Sequence, residues 1–231
     1  MTALELLTVG RVGVDIYPQQ TGPLKDVTTF AKFLGGTATN VAVGAARLGH
    51  SAAVLTKVGR DGFGDFVREA LTRFGVDISY VRTVDDLHTP VVFAELDPPE
   101  DPGLLFYRQP TAPDLMLTPD DVPADVVVDV PVLWVTGTGV SAEPARSTQL
   151  AMLARRPRPR AGSGRWTVLD LDWRPMFWQS PEQARPLYDE MLDRVSVVSS
   201  ATGSKSPSRS ARAIPTKRPT ACWPAASRSR S

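Results

Sequence analysis

The run Gly35-Gly36-Thr37-Ala38-Thr39-Asn40, followed by Val41-Ala42-Val43-Gly44-Ala45-Ala46 and then by Gly49 and Gly59, constrains this chain more than any other stretch. Glycines ahead of a helical segment let the main chain take conformations closed to other residues, and the small residues behind them let the helix lie close to a sheet. The helix N-terminus offers unpaired N–H groups to a polar ligand, and Asn40, one turn in, adds a donor and an acceptor. The stretch is therefore either a tight turn into a closely packed helix or backbone shaped around a ligand. The surrounding elements decide between them.

Leu4 to Val9 reads as a buried strand, and Arg11-Val12-Gly13-Val14-Asp15 leaves it with one acid at its exit. A helix over about 38–48 ends at Gly49, which suits a left-handed C-cap. Ala52 to Val58 is the next strand, and Gly59-Arg60-Asp61-Gly62-Phe63-Gly64 leads into a helix over about 63–74. Tyr80-Val81-Arg82, Pro90 to Leu96 and Leu104 to Arg108 are short β-rich runs between turn residues, and they read as a small antiparallel insert over about 76–110. Alternation resumes with a strand at 132–136, a helix near 142–154, a strand at 166–170, a helix near 181–192 and a strand at 195–198. This pattern predicts an α/β fold with a doubly wound, mostly parallel sheet. Ligands of such sheets sit outside the carboxyl ends of the strands, where Asp15, Gly35, Gly36 and Asp172 should fall. The run Arg155-Arg156-Pro157-Arg158-Pro159-Arg160 reads as a solvated surface loop between a helix and a strand.

Composition narrows the chemistry. With 231 residues, 42% of them apolar, the chain can build a core, and no apolar run reaches the length of a membrane span. The start Met1-Thr2-Ala3-Leu4-Glu5 lacks the basic and apolar regions of a secretory signal, so a cytoplasmic protein is expected. A single cysteine, Cys222, and the histidines His50 and His88 leave little for redox or zinc chemistry. The net charge of +1 conceals a division: residues 199–231 hold seven of the 26 Lys and Arg and none of the 25 Asp and Glu, so the body is acidic and the tail basic.

With these elements placed, the chain resembles the N-terminal two-thirds of the ribokinase-like sugar kinases, the PfkB carbohydrate kinase family. Gly35, Gly36, Ala38, Asn40, Ala42, Gly49 and Gly59 meet each position of the family's first signature. Asp15 at the strand exit, the turn Val58-Gly59-Arg60-Asp61-Gly62-Phe63-Gly64-Asp65 and the β insert, which resembles the family's lid, agree with it. The runs Arg11 to Tyr17, Phe106-Tyr107-Arg108 and Leu169 to Pro175 look most like the branch that acts on 5-dehydro-2-deoxygluconate. The resemblance implies ATP-dependent phosphorylation of a sugar hydroxyl with Mg2+, a small-molecule sugar or sugar acid as partner, neither nucleic acid nor membrane, and a homodimer through the lid. It makes Asp15, Gly35, Gly36 and Asn40 substrate-binding residues. Arg108 and Arg174 would suit an acid, because guanidinium forks pair bidentately with carboxylates, although either could be an ordinary surface arginine. Asp172 is either a strand-end cap or a residue near phosphate and metal. Gly62-Phe63-Gly64-Asp65 mimics the family's catalytic Gly-Ala-Gly-Asp but lies in the N-terminal turn, so Asp65 is not taken as the base, and no catalytic residue is assigned. The same family includes kinases for 2-keto-3-deoxygluconate, fructose and ribose, and a non-catalytic sugar-binding fragment would carry the same half sheet.

The resemblance stops at Val198. Residues 1–198 read as the kinase domain, and 199–231 as a Ser-, Arg-, Ala- and Pro-rich tail whose composition predicts disorder. Synonymous codons for Val198 to Ser204, read one base earlier, spell Val-Val-Gly-Asn-Arg-Glu, the Gly-Asn stretch that the family has at this point. A frameshift is therefore the expected origin of the tail, ahead of a basic arm for nucleic acid, and a chain so altered is expected to be inactive as a kinase.

Overall fold

The computed structural model describes residues 3–100, 102–158 and 162–199. The basic tail beyond Ser199, with its proposed frameshift, lies outside the described residues. The elements are β1 (Leu6–Val9), β2 (Gly13–Pro18), β3 (Phe30–Gly35), α1 (Thr37–Arg47), β4 (Ala52–Gly59), α2 (Gly62–Arg73), β5 (Val81–Val84), β6 (Val91–Glu95), β7 (Gly103–Tyr107), α3 (Ala124–Asp129), β8 (Val132–Thr136), α4 (Ala145–Arg155), β9 (Trp166–Asp170), α5 (Pro181–Leu192) and β10 (Val197–Ser199).

Six strands form a wholly parallel sheet in the order β10-β9-β8-β1-β4-β5. Its central strand, Leu-Leu-Thr-Val, is buried on both faces, as a parallel strand sandwiched by helices must be. The two-residue alternation divides the core. Leu7, Val9, Ala53, Leu55, Leu133 and Leu169 face α4 and α5 through Met152, Leu153, Tyr188 and Met191. Leu6, Ala52, Val54 and Val58 face α1 and α2 through Ala42, Val67 and Leu71. The chain moves outward from β1 to β4 and β5, then returns to the other side of β1 with β8. That reversal opens a crevice beyond the carboxyl ends of β1 and β8.

The second sheet differs in make-up from the expected insert. It is mixed, in the order β3-β2-β6-β7, with β2 and β6 parallel and the outer pairs antiparallel. Half of it comes from Gly13–Pro18 and Phe30–Gly35, well before the insert, while Val81–Val84 joins the large sheet beside β4. Among the described residues no helix is long and apolar enough to cross a membrane.

The basic run after α4 is not uniformly solvated. Arg156 is buried, and its guanidinium donates to the carbonyls of Val127 (2.5 Å), Val130 (2.8 Å) and Trp166 (3.1 Å) and to Thr167 Oγ1 (2.9 Å). Burial, with the Arg165 charge, lowers its pKa to about 10, so it stays charged at neutral pH. It closes the C-terminus of α3 and the starts of β8 and β9 around one cation. Replacing Arg156 by Met should destabilise the fold by about 2–4 kcal/mol, since several buried carbonyls lose their donor; equal urea midpoints for the two proteins would show that water replaces it fully.

Candidate functional site

Gly10 follows β1 directly, and a Cβ there would lie 2.7 Å from Thr136 Oγ1 at the end of β8. Arg11 comes next, at the mouth of the crevice, and the chain then enters the second sheet. There the register sets Phe33, Asp15, Val92 and Phe106 in one row across β3, β2, β6 and β7, on a single face. That row holds an acid and an aromatic ring over the crevice.

Gly35 and Gly36 admit the chain's own atoms. A Cβ on Gly35 would lie 2.1 Å from Asp15 Oδ1, and one on Gly36 would lie 2.2 Å from the Arg11 carbonyl oxygen. Gly36 has a φ of 110°, which opens α1 in a conformation a side chain rarely adopts. Asp15 Oδ1 is buried without a hydrogen-bond partner. Burial raises its pKa, and the Arg11 charge pulls the other way. Asn40 sits in α1 with its N–H donating to the Gly36 carbonyl, and its exposed side chain bonds to none of the other candidate residues.

Arg108 and Arg174 reach the same aromatic pair from separate segments. Arg108 is buried, pairs with Asp114 at 2.6 Å and lies 4.8 Å over the Phe177 ring. Its Nε and Nη1 have no partner. Arg174 pairs with Asp172 at 3.0 Å and lies 5.7 Å over Phe106, whose ring meets Phe177 edge-on at 5.5 Å. Asp172 is the one described non-glycine residue with positive φ, 34°, and its carboxylate also accepts from Thr138 Oγ1 at 3.0 Å. Its own N–H donates to Asp170 Oδ1 at 3.2 Å. Burial and the Asp172 charge push Asp170 up to about 6. The phenol of Tyr188 donates to the Leu171 carbonyl at 2.9 Å, and burial with these acids pushes its ionisation well above the ordinary range.

Arg11, which sequence reasoning passed over as a site residue, links the two groups. It lies 5.5 Å over Phe106 and within charge reach of Arg108, Asp15, Asp114 and Asp172. The signal for it was its place: an arginine directly after the glycine that ends a buried strand.

A cavity of about 690 Å³ lies on the opposite, Ile16 face of the second sheet, between Val91, Phe93 and Tyr107 and the N-terminal end of α2. Its acid, Asp61, is committed to the N–H groups of Gly64 and Thr89, both at 2.8 Å, so the convergent charge is elsewhere. Asp65 lies in the first turn of α2, the helix that Asp61 caps. Other close-packed glycines are filled from within: Gly59 by the Leu87 carbonyl, Gly137 by Tyr188 and Gly139 by Gln149. Among the described residues no group of three or more His, Cys, Asp or Glu could hold a metal ion.

Residues 3–200 match the profile of the pfkB family carbohydrate kinase. The 5-dehydro-2-deoxygluconokinase of Geobacillus kaustophilus is 33% identical over 199 residues, covering 84% of this chain and 57% of that protein. The Bacillus subtilis protein of the same name is 29% identical, covering 85% and 59%. This chain thus spans less than two-thirds of the length of these relatives. Among solved structures, a sugar kinase of Pyrococcus horikoshii in complex with ATP superposes with a TM-score of 0.73 at 26% identity, over 84% of this chain and 62% of that one. A fructokinase of Xylella fastidiosa gives a TM-score of 0.73 at 24% identity, over 86% and 59%, and shares the fold.

Two substitutions probe the site. Gly35→Ala should destabilise the protein by about 1–3 kcal/mol through the clash with Asp15, and Asp15→Ala in the same chain should restore most of the loss; a fully additive pair would place the clash elsewhere. For Asp170, protonation favours the fold, because its folded pKa stands above the roughly 3.9 of an unfolded chain. Its contribution is therefore greatest below about pH 4 and is lost as pH rises through about 6. Asp170→Asn should flatten the pH 4–7 slope of stability and add about 1–2 kcal/mol at pH 7.5; parallel pH profiles would contradict this.

Proposed function

Through residues 3–200 the chain belongs to the pfkB family of carbohydrate kinases, and on that footing we propose that its described residues form the sugar-binding half of an ATP-dependent kinase for a sugar acid, 5-dehydro-2-deoxygluconate before others. The observation that carries this reading is the convergence of Arg108 and Arg174 on Phe106 and Phe177, facing the Asp15 row at the carboxyl ends of β1, β8 and β9. Unpartnered donors on Arg108 and an unpartnered acceptor on Asp15 are the complement of a molecule with a carboxylate and several hydroxyls. The relatives named 5-dehydro-2-deoxygluconokinase support the same substrate.

In this reading Asp15 accepts from a sugar hydroxyl, Arg108 and Arg174 take the acid group, and Asn40 adds an orienting amide. Gly35 and Gly36 act by staying small, so that the Asp15 carboxylate and the Arg11 turn keep their places. Asp172, held by Thr138 and Arg174, stands toward the phosphate side. The work of these residues is positioning, which can supply ~7–11 kcal/mol of a phosphoryl-transfer barrier when the hydroxyl is aligned with the phosphate. ATP and Mg2+ supply the transferred group and its charge neutralisation when bound, and they are not placed on the described residues. The domain is proposed to run over 1–198. The homodimer through the second sheet is supported by exposed Phe33, Leu104 and Tyr107, and the sedimentation mass of the purified protein decides it.

Kinases for fructose, ribose or 2-keto-3-deoxygluconate are separated from the proposal by one experiment. Calorimetric titration of the 231-residue protein should show binding of 5-dehydro-2-deoxygluconate in preference to fructose, ribose and 2-keto-3-deoxygluconate, with no ADP released when ATP and Mg2+ are added. Tighter binding of fructose would overturn the acid assignment, and sustained ADP release would overturn the expected inactivity.

A further inference from the structure

We infer that Arg11 joins Arg108 and Arg174 on the substrate carboxylate, and that its guanidinium, the one whose charge no acid of the chain answers, makes the site specific for an acid. Among the described residues Arg11 makes no side-chain hydrogen bond and has no acid within ion-pair distance, and its Nη1 is buried with no partner. The two arginines beside it are already engaged, Arg108 with Asp114 at 2.6 Å and Arg174 with Asp172 at 3.0 Å. Three guanidinium groups therefore converge, and one of them holds an unanswered charge.

An unpaired buried donor is rare, because it has given up water for nothing. Arginine has little escape by losing its proton, so the charge must be met by an anion or carried as a strain on the fold. Burial and the neighbouring Arg108 charge both disfavour the cation, and the Asp15, Asp114 and Asp172 charges offset them without touching it. Asp15 is not its structural partner: the two do not form an ion pair, and Asp15 Oδ1 is itself buried and unpartnered. The two residues thus keep an unpartnered donor on Arg11 and an unpartnered acceptor on Asp15, the complement of the two ends of a hydroxy acid. The Phe106 ring lies 5.5 Å from the guanidinium carbon, within cation–π range, and a guanidinium fork pairs bidentately with a planar carboxylate. The inference rests on the reading of the chain as a sugar-acid binder and names the residue that makes it one.

The test is calorimetric titration of the full chain with 5-dehydro-2-deoxygluconate and with fructose as a neutral control, before and after substitution. Arg11→Met should weaken binding of the acid about 10- to 100-fold while changing fructose binding less than about threefold. Arg11→Lys, which keeps the charge without the fork, should fall between. Because the unmet charge is removed, Arg11→Met should melt at or above the temperature of the parent protein. Equal losses for both sugars, undiminished acid binding in Arg11→Met, or a lowered melting temperature in both variants would overturn the assignment and make Arg11 a structural residue. A parent protein that binds fructose but not the acid would refute the role of Arg11 and leave the kinase reading standing. One that binds neither would refute both.

Discussion

The insertion of β1 between β4 and β8, parallel to both, is the constraint on which the rest of the molecule depends. A strand buried on both faces and both edges can release its chain only at its carboxyl end. The chain leaves β1 towards β4 and leaves β8 towards β9, in opposite directions across the sheet, and such a reversal is where doubly wound sheets keep a crevice. Gly10 fits its backbone against Thr136, Arg11 is delivered to the mouth, and β9 brings Asp170 and Asp172 alongside. The parallel pairing of β2 with β6 then lays Asp15 and Phe106 over the same opening.

The electrostatics follow from this crowding. Arg11, Arg108 and Arg174 meet Asp15, Asp114 and Asp172, yet the charges do not pair off completely: Asp114 and Asp172 hold one arginine each, while Asp15 and Arg11 stay apart. A core optimised for stability alone would close that last pair or replace it with apolar groups. Keeping both open is what the proposed sugar-acid site requires, since a ligand would then supply the missing partners.

Much of this architecture was legible in the sequence, for identifiable reasons. Glycines at the joints and apolar runs too continuous for a surface strand revealed the α/β alternation, and the helix read near 181–192 is α5, which Ser180 caps and Pro181 opens. The strands β2 and β3 were not read. Phe30–Gly35 is largely exposed, with Lys32 and Phe33 outward, so it lacks the alternation that betrays a half-buried strand. Val81–Val84 was grouped with the insert because its partner, β4, is known only from the fold. Among the candidate site residues, Asp15, Arg108, Arg174 and Asp172 were named from motif and resemblance, whereas Arg11, although it opens a run that resembles the family, was not singled out until the fold showed its buried donor without a partner. Arg156 was misread for the converse reason: a run of arginines and prolines looks solvated, and only the tertiary contacts reveal that one of them is enclosed by carbonyls.

The mixed second sheet also fixes an order of assembly. Its middle joint pairs Val14 with Val91, and between these positions the chain must first lay down β4, α2 and β5. Closing so long a loop is entropically unfavourable until the large sheet has brought its ends together. The Asp15–Phe106 row is thus a late feature of folding, formed on a scaffold already in place. Damage to the large sheet would therefore disorder the Asp15–Phe106 row without altering any residue in it.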